Sequence, residues 1–353
     1  MTLFKLQLYR IFIYAFLFSF SLFSEEKVNE KTKNLQSLPK APKTIKILNY
    51  NLYNFFSKKS KLAKLKPPGS KKATVATIKL INADIAVFSE VGYYWGMKEL
   101  YSLLKDAGVD YKYRTLVNSQ VDKTRSLVIF SKIKPFEISH DTTTTYELKG
   151  VTIPISRGYA HVTFKWSNGY TLELFGAHLK SKIFHKMGQS DMRRYEARHL
   201  RYFVNNYLKK DWANINALVV GDMNDTCDSS PIGYIVYRRY GDKKRLYDLR
   251  PLDSRKCSWT HFWDDADTYA RIDYAFASYG LLPEIIDEGT CIPDNPLGFV
   301  SSDHRPLVIQ ISPRDIKKEN KLENYKNAVR QVSPIIEYKD KGRIIGKRKV
   351  RRK

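Results

Sequence analysis

Cysteine is scarce in this chain. Three residues of 353, Cys227, Cys257 and Cys291, form no CxxC pair and no cysteine–histidine cluster of the kind that holds structural zinc. Three thiols permit one disulfide and leave one over, and the sequence names no pair. Acid is scarce too. Against 61 Lys and Arg stand only 36 Asp and Glu, a net charge of +25. Such an excess speaks about partners rather than fold, and it points to polyanions: nucleic acid, anionic lipid headgroups or acidic polysaccharide. A run of membrane-spanning length is also missing at the N-terminus. The apolar stretch from Ile11 to Phe23, preceded by Lys5 and Arg10 and uncharged until Glu25, is short for a span and reads as a secretory signal peptide. Its end lacks a clean small-x-small cleavage pattern, so an uncleaved N-terminal anchor is the alternative. Loss of residues 1–24 removes Lys5 and Arg10 only and leaves +23. Export to the periplasm, the cell surface or the medium is the expectation. No internal repeat is present.

What is there suits a folded, sheet-rich protein. The chain is 43% hydrophobic, with 24 Tyr and 18 Phe, and aromatic side chains pack well on pleated surfaces. Residues 25–44 are polar, hold Pro39 and Pro42, and read as a linker. Alternating apolar residues begin a strand at Ile45. The stretch Ser57 to Lys72 carries seven Lys, Pro67-Pro68-Gly69 and no acid, the composition of a loop. Helices are expected at 73–82, 97–105 and 192–209, and strands at 84–88, 126–131, 159–166, 171–177, 217–220, 272–277 and 307–311. This is a mixed α/β order, not a pure βαβ array. The division is then a signal segment 1–24, a linker 25–44, one catalytic domain 45–312 and a tail 313–353. The tail has 15 Lys or Arg against 5 Asp or Glu, a bias typical of unstructured, polyanion-binding ends.

Polar clusters stand at the ends of the expected strands, where a rigid scaffold can present side chains to a cleft. They are Asn49-Tyr50-Asn51, Ser89-Glu90, His178-Leu179-Lys180-Ser181-Lys182, Gly221-Asp222-Met223-Asn224-Asp225, Arg271-Ile272-Asp273 and Ser302-Asp303-His304-Arg305-Pro306. Hydrolysis of a phosphate ester needs neutralised charge, an activated water and a protonated leaving group. Glu90, Asp222, Asp273, Asp303, Asn51 and Asn224 offer the hard oxygens that Mg²⁺ takes. His178 and His304 can move protons near neutral pH, and Lys180 and Lys182 are cations for phosphate. Arg125 and Arg157 precede strands and could also reach phosphate, although surface ion pairing is the plainer reading. Singly, each residue has a structural explanation. Jointly, each at a strand end, they point to one site.

The order and wording of these clusters resemble the endonuclease/exonuclease/phosphatase superfamily across Lys46 to Ser312. Gly221-Asp222-Met223-Asn224-Asp225 and Ser302-Asp303-His304-Arg305-Pro306 are the most specific pieces. The resemblance implies a four-layer αββα sandwich of the deoxyribonuclease I-like kind, with the site at one edge, and an exported bacterial member. It implies Mg²⁺, with Mn²⁺ as the substitute, on Glu90, aided by Asn51 and Asp303. Asp222 would orient or deprotonate water, and Asn224 would bond the scissile phosphate. His304 would contact that phosphate, steadied by Asp273, while His178 would stabilise the transition state or protonate the leaving oxygen. Ser89 stands where many members have Gln, and Ala177 where many have a polar residue.

Three functions compete. A nuclease cutting DNA or RNA fits the charge, because a backbone-binding groove gains affinity by releasing counterions. A phosphatase or phosphodiesterase acting on lipid headgroups or inositol phosphates is the alternative, with the basic tail on an anionic membrane surface. A non-enzymatic binder of polyanions is disfavoured by the intact acid and histidine set. Tyr93-Tyr94-Trp95, read as a loop after Glu90, could stack on bases, enter a bilayer or simply pack. A monomer is expected.

Overall fold

The computed structural model describes residues 38–56, 65–237 and 242–316, with two further strands at 335–340 and 343–349. The expected signal segment, most of the expected linker, the first half of the lysine-rich 57–72 stretch (57–64) and most of the expected tail lie outside the described residues. Among the described residues no helix is long and apolar enough to cross a membrane. The chain falls into two units. Among the described residues the smaller comprises 38–41 and 165–170, where the Trp166 amide donates to Tyr170 O at 3.1 Å and the Ser167 amide to Pro39 O at 2.9 Å. The larger, residues 42–164 and 171–353, carries the fold and the site.

Two sheets dominate the larger unit. Numbered in chain order, β1 (Ile45–Phe55), β2 (Ile85–Val91), β3 (Tyr113–Leu116), β4 (Ser126–Ser131) and β15 (Leu307–Ile311) form the first, in the order β15-β1-β2-β4-β3. The second comprises β5 (Glu137–Ile138), β8 (Tyr159–Lys165), β9 (Thr171–His178), β10 (Asn216–Asp222), β11 (Tyr247–Asp248) and β14 (Asp273–Ala277), in the order β11-β14-β10-β9-β8-β5. Two hairpins accompany them, β6 (Thr145–Leu148) with β7 (Val151–Pro154) and β12 (His261–Trp263) with β13 (Thr268–Ala270). The helices are α1 (Pro68–Ile81), α2 (Tyr93–Asp106), α3 (Gln189–Leu208), α4 (Ser230–Val236) and α5 (Gly298–Ser301).

The central strands β4 and β10 are buried along their whole length. Their apolar residues run without alternation because both faces of each sheet are covered. Outward, Leu48, Phe88 and Phe130 of the first sheet pack on Ile78 of α1 and on Leu100 and Leu104 of α2. Phe175, Val219 and Phe276 of the second sheet pack on Leu200 and Val204 of α3 and on Ile235 of α4. Inward, the sheets meet. A Cβ at Gly176 on β9 would lie 3.0 Å from Val87 and 3.2 Å from Leu127 of the opposite sheet, so a bare backbone sets their approach there. Helix, sheet, sheet and helix make the expected four layers.

Several element bounds differ from the sequence reading. Helix α1 begins at Pro68, inside the stretch read as a loop, because proline at the first helical position gives up no needed N–H and already has helical φ. Tyr93-Tyr94-Trp95 is not a loop but the first turn of α2. Within the tail read as unstructured, β16 (Ile335–Asp340) and β17 (Arg343–Lys349) pair antiparallel.

One partly buried histidine beside β8, His140, is placed to make the fold sensitive to acid. His140 Nδ1 accepts the His161 amide at 3.1 Å while Nε2 meets Thr115 Oγ1 at 2.8 Å. Burial, then the neighbouring His161, pushes His140 down to about 4. The folded state therefore binds its proton less readily than the unfolded chain. Its stabilising effect is complete above pH 6.5 and is lost as pH falls from 6.5 towards 4. Urea titrations at pH 7 and pH 4.5 should show wild type losing on the order of 2 kcal/mol more than His140→Gln between the two. Equal losses would show that His140 is not buried in its neutral form.

Candidate active site

Strand register brings the site together. Asp222 ends β10 with His178 opposite it on β9 and Asp273 opposite it on β14. In the first sheet, Asn51 stands beside Ser89, one residue before Glu90. The turn Ser302-Asp303-His304 leads into β15, which pairs with β1. A Cβ on Gly221 would sit 1.9 Å from Ala177 O, so only glycine lets β10 pass β9 at this point. Positive φ angles at Tyr53 (47°), Asn54 (56°), Glu90 (61°) and Asn224 (54°) cluster here as well. Non-glycine residues held in this region store strain that surrounding contacts must offset, a habit of functional sites.

Asp222 is the hub. Its Oδ2 accepts from Asn51 Nδ2 at 3.0 Å and lies 3.5 Å from His178 Nε2 and 3.8 Å from His304 Nε2. Its Oδ1 accepts the Asn224 amide at 2.8 Å. Burial lifts its carboxyl to about 7; His304 opposes the rise and Asp273 adds to it. A carboxylate so raised is a competent proton acceptor near neutral pH.

The two histidines differ. Burial would strip His304 of its proton, but Asp273 Oδ2, 2.7 Å from its Nδ1, overrides this and holds the pKa well above the ordinary value. His304 is thus an imidazolium. Burial pushes His178 the other way, and the positive charges of Arg157, His304, Arg125 and Lys180 reinforce it. His178 is neutral, and its Nδ1 is buried without a partner. As a ground state this suits a hydrogen-bond donor to the transition state better than an acid that protonates the leaving oxygen.

A hard divalent cation fits the acceptors on the Glu90 side. Glu90 Oε2 takes the Asn54 amide at 2.9 Å. The buried side-chain oxygen of Asn54 has no donor in reach. Glu90 and Asp303 both act electrostatically on Tyr53 and on Lys66. Two carboxylates and an orphaned amide oxygen are the donor chemistry of Mg²⁺ or Mn²⁺. Asn51, expected as a ligand that helps directly or through water, lies between the two carboxylates. Its Oδ1 is taken by the Tyr53 amide at 3.0 Å, so its Nδ2 faces Asp222 and, at 3.4 Å, Glu90. It orients these carboxylates by donation.

The weaker cation assignments separate. Arg125 Nε lies 3.9 Å from Glu90 Oε2 and lines the cavity beside Asp303. Arg157 is buried, donating to Leu179 O at 2.8 Å and to Asp122 Oδ2 at 3.2 Å. It supports the loop after His178 and has no surface to offer a phosphate. Lys180 Nζ turns towards Ser181 Oγ at 3.3 Å, and Lys182 is exposed on the same loop. Asn224 commits one N–H to Leu179 O at 3.0 Å and keeps its second.

Sequence reasoning missed several residues. His261 Nε2 lies 3.7 Å from Asp303 Oδ2, and its ring centroid is 4.7 Å from that of His304. Together with His304 it lowers the Asp303 carboxyl against the opposing effect of burial. Thr260 Oγ1 accepts the amides of Ile272 and Asp273 at 3.1 and 3.0 Å, fixing the carboxylate that holds His304. Lys66 is buried, donates to Leu52 O at 2.9 Å and is pushed down to about 8 by burial. None sits in a motif; Thr260 and Lys66 come from loops and His261 from the start of β12, each placed by tertiary packing. Only lysine density around residue 66 hinted at a role.

With this geometry in view, the sequence profile of the Endonuclease/Exonuclease/phosphatase family matches residues 48–304, the interval that holds every residue of the site. Solved structures share the fold. An endonuclease/exonuclease/phosphatase from Bacteroides vulgatus aligns over 77% of this chain and 100% of its own, at TM-score 0.54 and 15% identity. The human Nocturnin catalytic domain with bound sulfate aligns over 78% and 97%, at 0.54 and 15%. Sphingomyelinase C from Streptomyces griseocarneus aligns over 76% and 99%, at 0.51 and 15%. Among curated proteins no match is found.

The Asp273–His304 pair is the simplest element to disable. Asp273→Asn keeps shape but removes the charge that holds the imidazolium. Phosphoester turnover should fall by roughly 10²–10⁴-fold, with the thermal midpoint measured alongside to show that the fold persists. Unchanged kcat would mean that His304 needs no fixed charge.

Proposed function

The chain belongs to the endonuclease/exonuclease/phosphatase family, and on that premise we propose that this phosphoesterase is an exported nuclease. It hydrolyses DNA or RNA phosphodiesters by attack of water, with a divalent metal, Mg²⁺ foremost, on Glu90 and Asp303. The observation that carries the chemistry is Asp222, a buried carboxylate raised to about 7 and set between a neutral and a charged histidine. When bound, the metal supplies charge neutralisation and polarises a phosphoryl oxygen. Asp222, aligned by Asn51 and the Asn224 amide, takes the proton of the attacking water. His304, held by Asp273, and the free N–H of Asn224 donate to non-bridging oxygens, where charge develops. Neutral His178 gives a hydrogen bond to the departing oxygen and keeps its proton, and the leaving oxygen takes its proton from solvent water. Arg125, beside Glu90, adds a cation at the edge of the site.

The choice of nucleic acid rests on the excess of 25 positive charges, which favours a polymer whose binding releases counterions. The reading includes export through residues 1–24, action as a monomer and capture of substrate by the basic tail. A second reading, a phosphodiesterase on lipid headgroups, has one observation in its favour. Ile183 and Phe184 are 73% and 82% exposed, next to Lys182 and Lys186, the composition of an interfacial contact.

The two part on one assay. With the chain from residue 25, supercoiled plasmid should be nicked in Mg²⁺ and not in EDTA, and His304→Ala should slow nicking by about 10²–10³-fold. Metal-dependent release of phosphate or headgroup from lipid or inositol substrates, with plasmid intact, would replace the nuclease by the second reading.

A further inference from the structure

We infer that the groove of ≈ 880 Å³ between Tyr53 and the Phe262–Tyr269–Phe299 wall binds unstacked bases of a single-stranded nucleic acid beside the scissile phosphate. The inference rests on the phosphodiester reading of the adjoining site. Three rings line this side, Phe262 and Tyr269 on the β12–β13 hairpin and Phe299 in α5, with Trp259 packed against Tyr269 and Phe299. Trp259 and Phe299 stack at 5.9 Å and 19°. Trp259 and Tyr269 meet edge-on at 4.8 Å. Phe262 lies 4.6 Å from Tyr269 and 6.0 Å from Phe299. A cluster of this size normally buries itself, yet Tyr269 and Phe299 remain 54% and 66% exposed. Across the groove Tyr53 is 50% exposed, with Lys66 Nζ 5.6 Å from its ring centre.

The wall is fixed to the chemistry. The Phe262 amide donates to Asp303 O at 3.0 Å. Arg305, two residues after Asp303, lies 4.2 Å from the Trp259 ring and donates to Trp259 O at 3.3 Å and to Asp253 Oδ2 at 2.9 Å. The rings therefore hold a set position relative to Asp303 and do not sit on a free tip. Cations stand among them, Arg125 and Lys66 lining the same groove. Flat rings interleaved with cations match a strand whose phosphates alternate with π-faces. A duplex hides its base faces in the stack and cannot use such a wall. A lipid wedge would present its apolar groups on a convex surface, whereas these rings line a concavity whose floor is charged.

The test is binding of a 2-aminopurine-containing oligonucleotide to the full chain in EDTA at about 0.15 M salt, single-stranded and as a duplex. Stacking quenches the fluorophore. Wild type should quench the single strand and prefer it to the duplex. Phe299→Leu and Tyr269→Leu keep apolar area but lose the flat face, and each should weaken single-strand binding about 5- to 150-fold. Plasmid nicking by wild type with unchanged oligonucleotide affinity in both variants would overturn the stacking inference and leave the nuclease reading standing. Stacking that depends on Phe299 in a protein that cleaves no nucleic acid would overturn the nuclease reading and, with it, the placement beside a scissile phosphate, while leaving a base-stacking groove. Loss of binding to phosphatidylserine vesicles in Phe299→Ala, rescued by Phe299→Leu, with oligonucleotide affinity unaltered, would show a lipid-docking surface instead.

Discussion

Asp222 has 2% of its surface exposed, and keeping a carboxylate there is the constraint on which the rest of the site depends. An isolated buried charge is costly, and it persists only when donors replace the lost water. The polar groups that face it come from four directions. Asn51 reaches across from the first sheet, the Asn224 amide curls back from the same strand, and the two histidines approach from β9 and from the 302–306 turn. No single sheet could supply all of these. The face-to-face pairing of two sheets, with Gly176 bare at their contact and Gly221 bare beside Ala177 O, brings the donors into range. The αββα architecture is in this sense the means of solvating one acid without water.

The residues just behind the site serve the same end. The segment after His178 leaves β9 with its backbone polar groups in the interior, and each must be met. Leu179 O receives Arg157 and Asn224; Lys180 N–H goes to Glu196; Lys180 O and Ser181 O receive Arg193, which is paired to Asp225 at 2.8 Å. Glu196, fully buried on α3, also takes the amide and hydroxyl of Ser156. Two cations and two acids are thus spent on holding a loop. This explains why Arg157 is withdrawn from phosphate. It is withdrawn in contact but not in charge, because its field still helps keep His178 neutral.

Much of this was legible in the sequence, and the limit has a physical cause. The strand-end clusters around Asn51, Glu90, His178, Asp222, Asp273 and Asp303 could be read because local sequence sets strand ends and a cleft needs side chains there. The core strands could be read because buried sheets leave unbroken apolar runs. Helix α1 was cut short because Lys71 and Lys72 look like loop residues until Pro68 is recognised as a helix start. His261, Thr260 and Lys66 could not be read, because their positions follow from loops folding over the 302–306 turn. The aromatic groove lined by Phe262, Tyr269 and Phe299 has no signature in the sequence, since exposure of a ring is a tertiary fact.

The opposite charge states of the two histidines follow from the distribution of carboxylates. Both are buried and both face Asp222, so desolvation and their shared neighbour cannot separate them. Asp273 can. It is hydrogen-bonded to His304 alone, with Thr260 fixing its backbone and no second partner for its Oδ1. His178 meets instead the combined positive field of Arg157, Arg125, Lys180 and His304 itself. The imidazolium of His304 is therefore one cause of the neutrality of His178: charging the first lowers the proton affinity of the second. A site that must donate to a phosphate oxygen from one side and take a proton on another gains from this coupling. It fixes which histidine carries charge before substrate arrives, so little reorganisation is left for the chemical step.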